Sequence, residues 1–471
     1  MERKNAWKEY GASDIEAVQD FGAGYIDWLS TSKTEREATA HAIAKAREAG
    51  YLSLEEARAK GTPLAAGDRV YASCYGKSLI LVQVGSAPME QGLNILGAHI
   101  DSPRLDIKQN PLYESDDLVL MDTHYYGGIK KYQWVTLPLA IHGVVAKTDG
   151  TVVDVTVGED PADPAFVVTD LLPHLGADQM AKTAAKVVDG EDLDVLVGGQ
   201  PLKVEKADDP TDEQKEQAKN PVKAKLLAIL AERYGIAEED FLSAELEVVP
   251  AGPARDCGFD RSMVLGYGQD DSACAYPSLI AQLDAGPLTR TGVCVLVDKE
   301  EIGSVGATGM TSLFFENTIA EVMDLAGQGG DLALRRALAN SSMLSSDVSA
   351  GFDPTFASAY EKKNAAFCGR GLVFNKFTGA RGKSGSNDAN AEYIAHLRAI
   401  MDQAGVFYQF AELGKVDQGG GGTIAYILAK YGMNVIDSGV SVLSMHAPWE
   451  VTSKADLYEA YKGYAAFLQN A

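Results

Sequence analysis

Two adjacent glutamates, Glu300 and Glu301, sit at the end of the apolar run Val-Leu-Val-Asp-Lys-Glu-Glu-Ile-Gly-Ser at 295–304. An apolar run that ends in two carboxylates and a glycine reads as a buried strand delivering acid groups to an edge. Successive side chains of a strand point to opposite faces. Neighbouring glutamates therefore divide their work: one can bind a metal while the other holds a water. The bland reading of the same run is a solvated strand end carrying two surface acids.

Other segments offer partners. The run Asn-Ile-Leu-Gly-Ala-His-Ile-Asp-Ser-Pro at 94–103 ends in His99 and Asp101, which share a face at strand spacing. There a carboxylate can orient an imidazole that ligates a metal. In Gly-Tyr-Gly-Gln-Asp-Asp-Ser-Ala-Cys-Ala at 266–275, Asp270 and Asp271 precede a helical apolar pattern (Ala275, Leu279, Ile280, Leu283). Taken alone, that pair is an aspartate N-cap. Asp347 follows Met343 and Leu344, and a third apolar run ends at His446 in Val-Leu-Ser-Met-His-Ala-Pro-Trp-Glu at 442–450. Of the seven histidines, only His99 and His446 end an apolar run beside a carboxylate-bearing segment. Two imidazoles, several carboxylates and no cysteine cluster suit a pair of borderline-hard divalent metals such as zinc, cobalt or manganese. The set outlines a two-metal hydrolase whose ligands lie at strand ends of one sheet, where open α/β sheets carry their sites.

These stretches resemble the M18 metallo-aminopeptidases, the aspartyl-aminopeptidase group of two-zinc exopeptidases, in their long bacterial form. The resemblance is carried by Gly97-Ala-His-Ile-Asp-Ser-Pro-Arg-Leu-Asp106, Gly268-Gln-Asp-Asp271, Asp298-Lys-Glu-Glu-Ile-Gly303, Ser346-Asp347 and Ser444-Met-His446. Lys376-Phe-Thr-Gly379, Ser386-Asn-Asp-Ala-Asn-Ala391 and Gly419-Gly-Gly-Gly-Thr423 extend it over nearly the whole chain. It implies that His99 and Glu301 each bind one metal, that Asp270 bridges the two, and that Asp347 and His446 complete the ligand set. Glu300 is then the general base and Asp101 supports His99. The family's broader pattern has an asparagine where Asp271 stands, so the choice of Asp270 over Asp271 as the bridge rests on the resemblance. Two cations roughly 3.5–4 Å apart lower the pKa of a shared water, and Glu300 moves its proton to the leaving amine. The implied substrates are peptides with a free N-terminus, cut one residue at a time.

The acidic-specific eukaryotic members carry a histidine-containing segment shortly after the Asp347 position. Here that stretch is Ser349-Ala-Gly-Phe-Asp-Pro354, without histidine. An Asp353 facing the pocket would disfavour an acidic side chain, whereas Lys376 is a candidate positive partner; acidic and neutral preferences both stay open. Gly419 to Gly422 lacks the lysine of a phosphate loop. It reads instead as close backbone packing or a substrate-facing loop around Gly421. The alternatives to an aminopeptidase are a two-metal amidohydrolase acting on acylated amino acids and a non-catalytic assembly scaffold. A scaffold has no need of a base such as Glu300.

The elements that must position these groups form an α/β fold, a mixed central sheet flanked by helices, with an inserted and mainly β second domain. Helices are expected over 12–31 and 33–49, the second opening on a Ser32-x-x-Glu35 capping box. Strands follow at 68–84, then the His99 strand. From about 108 short β-like runs appear, including 134–145 and 151–157, then an acidic, lysine-rich loop over 205–220 and a helix over 222–233. This block separates His99 from Asp270. It reads as an insertion at 108–248, leaving 1–107 and 249–471 as the catalytic domain, and the resemblance implies dimerisation through it and dimers assembling into a dodecamer. Beyond 262 strands and helices alternate, with a helix expected near 306–317 and an amphipathic one over 388–402.

The 471 residues carry a formal charge of −24, which argues against nucleic acid, since a phosphate backbone needs a basic face. No segment approaches the roughly 18–20 continuous apolar residues of a membrane helix, and Met-Glu-Arg-Lys-Asn-Ala-Trp lacks a signal-peptide core. Five scattered cysteines (74, 257, 274, 294, 368) show neither metal spacing nor a disulfide framework, which points to a reducing cytoplasm.

Overall fold

In the computed structural model of this chain, residues 4–203, 209 and 211–471 are described. They fall into two compact units: 1–102 with 254–445 and 449–471, and 103–253 with 446–448.

The first unit is built on a nine-stranded mixed sheet. Its spatial order is Leu52–Ser53, Arg69–Cys74, Ser78–Gln83, Gly292–Val297, Asn94–His99, Ser342–Ser345, Asn434–Gly439, Leu372–Asn375 and Tyr408–Ala411. The four strands Gly292–Val297, Asn94–His99, Ser342–Ser345 and Asn434–Gly439 run parallel side by side, with Gly292, Asn94, Ser342 and Asn434 in one row. Gly292–Val297 reads as an unbroken apolar run and its neighbours carry apolar residues on both sides of the sheet, because both faces are covered. Ile95, Val293, Met343 and Val435 enter one apolar core beneath Phe314–Leu325, Asp331–Ala339 and Ala425–Ala429. Leu96, Cys294, Leu344 and Ile436 enter the other, shared with the helices Ala12–Thr31, Gln269–Leu283 and Lys454–Asn470. A smaller five-stranded sheet (Arg255–Cys257, Met263–Gly266, Glu450–Ser453, Ser441–Leu443, Ser349–Ala350) belongs to the same unit.

The second unit holds a seven-stranded sheet in which all pairings are antiparallel. Its core strands are Arg104–Ser115, Leu118–Tyr126, Leu139–Ala146 and Ala244–Pro250. Consecutive strands joined by tight turns pair antiparallel, whereas the parallel strands of the first unit need crossovers.

Several local expectations shift. The second helix is Glu35–Glu48, and its capping box is Thr34 with Glu37, not Ser32 with Glu35. The Ser32 hydroxyl instead lies 2.8 Å from His41 Nδ1. The strand expected from Trp134 begins at Leu139, since residues 131–133 form a 3-10 turn. The helix expected near 306–317 is Phe314–Leu325, because glycines at 303, 306 and 309 favour turns. Of the loop expected at 205–220, residues 205–208 and 210 lie outside the described residues. Asp212–Lys219 is a helix, opened by a reciprocal Thr211–Gln214 capping box that the acidic composition concealed.

Candidate metal centre

Three neighbouring parallel strands release their chemistry at the same edge. His99 is the last residue of Asn94–His99, Asp347 lies just beyond Ser342–Ser345, and Glu300 and Glu301 lie just beyond Gly292–Val297. The two glutamates are not on the strand. Lys299 adopts a left-handed conformation (φ 70°) and turns the chain into the 3-10 turn Glu300–Ile302. Strand alternation therefore does not apply to the two side chains: Glu300 groups with His99 and Asp347, and Glu301 with His99 and Asp270. Asp270 and Asp271 enter at the head of Gln269–Leu283 with non-helical backbone angles, and neither caps that helix: its N-cap is Gly268.

Asp101 ties these pieces together. Its Oδ1 accepts from the Glu300 N–H and its Oδ2 from the Glu301 N–H, each at 3.1 Å. Its backbone carbonyl lies 3.0 Å from His99 Nδ1, and its carboxylate 3.4 Å. With Nδ1 committed to these acceptors, the lone pair of the neutral ring resides on Nε2, the ligating form. Nε2 lies 3.2 Å from Asp270 Oδ1 and 3.9 Å from Glu300 Oε2. Glu450, unassigned by sequence reasoning, accepts the Gln269 and Asp270 backbone N–H groups at 2.7 and 3.1 Å. Ser102 Oγ donates to the Asp270 carbonyl (2.8 Å), and Asp271 Oδ2 accepts the His99 N–H (3.3 Å).

Side-chain atoms of His99, Asp270 and Glu301 fall within 4.8 Å of one another, as do those of His99, Glu300 and Asp347 and those of Asp270, Asp271 and Asp347. The donor set is buried or half-buried and rich in negative charge. Burial, reinforced by Asp271, Glu300 and Asp270, pushes Asp347 well above the carboxylate range. Burial does the same to Asp271. His99 is drawn the other way: burial is its largest influence and opposes charge, yet Asp101, Asp270, Glu300 and Asp271 raise it well above an ordinary histidine. A buried crowd of carboxylates around one imidazole is costly unless cations compensate it, and its O and N donors fit hard to borderline divalent ions.

The sequence model of the family described as "Aminopeptidase I zinc metalloprotease (M18)" matches residues 28–468. The chain belongs to the M18 family. A probable M18 family aminopeptidase 1 of Clostridium acetobutylicum is 58% identical over 469 residues, covering 100% of this chain and 98% of that one. Its counterpart in Thermotoga maritima is 43% identical over 470 residues, covering 100% and 99%. Crystal structures of an M18 aminopeptidase from T. maritima (TM-score 0.92, 41% identity) and of aminopeptidase I from C. acetobutylicum (TM-score 0.91, 55% identity) each match this chain over 100% of both chains. This M18 chain is thus a metallo-aminopeptidase, a hydrolase of a zinc-dependent family.

His446 is counted with the second unit, its Nδ1 2.7 Å from the Gly128 carbonyl, and is outside the three ligand groups among the described residues. Asp353 half-buries its side chain and accepts from the Thr355 N–H at 2.8 Å, opening the turn Pro354–Ala359. Lys376 is exposed, and its carbonyl accepts from Ala389. Gly421 donates its N–H to the Thr378 carbonyl at 3.0 Å, and a Cβ added to it would meet nothing within 4 Å.

Proposed function

We propose that this enzyme releases single N-terminal residues from peptides, using water activated at two divalent cations with Glu300 as general base. The observation that carries the reading is the position of Asp270: it groups with His99 and Glu301 on one side and with Asp347 on the other, as a bridging carboxylate would. Asp271 is the poorer bridge because its Oδ2 is engaged by the His99 N–H. His446 is proposed as a further ligand; its Nδ1 contact to Gly128 leaves the lone pair on Nε2.

Bound cations would supply Lewis acidity, lower the pKa of the attacking water and offset the negative charge of the cluster. Zinc is the first candidate, with cobalt or manganese accepted by the same donors. Glu300 takes the proton of that water and returns it to the leaving amine. Asp101 keeps Glu300 in place through its backbone N–H and fixes the His99 ring. Gly421, in the exposed glycine run, lies along the substrate, while Lys376 and Asp353 are the residues that would set the side-chain preference. The 103–253 unit is proposed to mediate dimerisation, with dimers building a larger homo-oligomer; sedimentation of the purified protein tests that.

The test is hydrolysis of unblocked aminoacyl-p-nitroanilides (Asp, Glu, Leu, Met, Ala) by metal-stripped enzyme, repeated after adding zinc, cobalt or manganese. Metal-dependent release from free but not N-acylated substrates supports the aminopeptidase. Release from N-acylated substrates alone would transfer the reading to an amidohydrolase, and no release from either, with metal bound, would sink it.

A further inference from the structure

Asp437 is an oddity of the central sheet. It lies on Asn434–Gly439, paired with Ser345 on one side and Asn375 on the other. It is 1% exposed and shares its face with Val435 of the apolar core. Among the described residues its Oδ1 has one hydrogen bond, from Thr423 Oγ1 at 2.6 Å, and its Oδ2 has none. Burial pushes its carboxyl up to about 7, against the Thr423 bond, and the Glu300 charge adds to the push. Its cross-strand neighbours Ser345 and Asn375 are buried and polar as well, so the aspartate lies in a polar row beyond Val435, and burying its carboxyl there costs free energy that one hydrogen bond offsets only in part.

What the aspartate holds is the end of the glycine run. Thr423, itself buried, donates to Asp437 and accepts from the Ala425 N–H at 3.3 Å. Upstream the run divides in two. A Cβ on Gly419 would lie 1.6 Å from the Leu413 carbonyl oxygen, and one on Gly420, whose φ is +108°, would collide with Ala380. Those two glycines are demanded by packing. At Gly421 and Gly422 a Cβ would meet nothing within 4 Å, and Gly422 makes no backbone hydrogen bond among the described residues. Both are exposed. Two consecutive glycines that packing does not need, with the tether of Thr423 immediately after them, leave bare main chain facing open space.

We propose that Asp437 is a positioning residue for substrate binding: by holding the Thr423 hydroxyl it fixes Gly421 and Gly422 so that their main chain receives the peptide backbone of the substrate. This rests on the reading above that Gly421 lies along the substrate.

The experiment compares the unmodified enzyme with Thr423→Val, Thr423→Ser, Asp437→Asn and Asp437→Ala, all metal-loaded, on the nitroanilide that the unmodified enzyme cleaves best. Thr423→Val keeps the side-chain shape but loses the hydroxyl, and should raise KM about tenfold or more while kcat moves less than about threefold. Thr423→Ser and Asp437→Asn preserve a hydroxyl donor and an acceptor oxygen, and should stay near the unmodified KM. Asp437→Ala should behave like Thr423→Val; if it fails to fold, the isosteric threonine variants decide. Hydrogen exchange of residues 419–424 in metal-free protein should be faster in Thr423→Val than in Thr423→Ser. An unchanged KM in Thr423→Val overturns the proposal, whether exchange is unchanged (no tether) or faster (a tether that does not serve substrate). Absence of turnover in the unmodified enzyme would instead overturn the parent reading, and this proposal with it.

Discussion

Asp101 serves two backbone N–H groups and one imidazole at once, so its replacement should be felt at every part of the site. Asparagine keeps one acceptor oxygen but turns an amide NH2 towards the second N–H. Asp101→Asn is expected to lower metal affinity or kcat/KM by about 10–100-fold, read by calorimetric metal titration and steady-state kinetics. An unperturbed metal affinity together with unperturbed kinetics would remove Asp101 from its proposed role. Glu300→Gln differs in kind: the amide cannot accept the proton, so turnover should fall by at least about 100-fold while bound metal, measured by elemental analysis, stays the same. Retained turnover would take the base assignment away from Glu300.

At the scale of elements, the glycine run supports a pair of opposed expectations. Gly419→Ala drives a methyl into backbone and should cost about 1–3 kcal/mol in denaturant unfolding. Gly422→Ala meets nothing, should change stability by less than about 1 kcal/mol, and should act on KM. Equal effects of the two on stability would contradict the division of the run. The final helix, Lys454–Asn470, carries a second test. Asp456 accepts the Gly369 and Gly371 backbone N–H groups, at 2.8 and 2.6 Å. Burial, opposed by those two bonds and aided by Glu459, pushes its carboxyl up to about 8. The folded state then holds a proton that the unfolded chain, titrating near an ordinary aspartate, has released. Stability contributed at this position therefore falls as pH rises from about 4 to about 8. Asp456→Asn gives up one acceptor at every pH but cannot titrate, so its stability deficit should narrow between pH 5 and 8. The measurement is the denaturation midpoint of both proteins across that interval, and a constant or widening deficit would contradict the shift.

For the whole molecule, the buried carboxylates couple metal to stability. Any ion that binds the folded form alone stabilises it by RT ln(1 + [L]/Kd), about 4 kcal/mol at a thousandfold excess over Kd. Chelation should lower the melting temperature reversibly and abolish hydrolysis together, and zinc should restore both. A melting temperature insensitive to chelation and to added metal would mean that the cluster holds no ion. No helix among the described residues is long and apolar enough to cross a membrane.

Legible in the chain alone are the apolar stretches 95–98 and 292–297 that become neighbouring parallel strands, the α/β character of the first unit, and His99, Glu300 and Glu301 at the ends of those stretches; Asp270 and Asp347 enter through the family resemblance. Each of those signals is local: a run of apolar residues, or a charged residue at its end. The folded structure alone shows the turn at Lys299, after which Glu300 and Glu301 each group with His99 instead of alternating as strand neighbours. It also decided the Asp101 clamp, the grip of Glu450 on Asp270 and the tether of Asp437 on Thr423. These are contacts between segments far apart in the chain, such as Asp101 with Glu300 and Asp270 with Glu450. Their bonds arise from how strands are ordered in the sheet, and no periodicity in the sequence encodes that order.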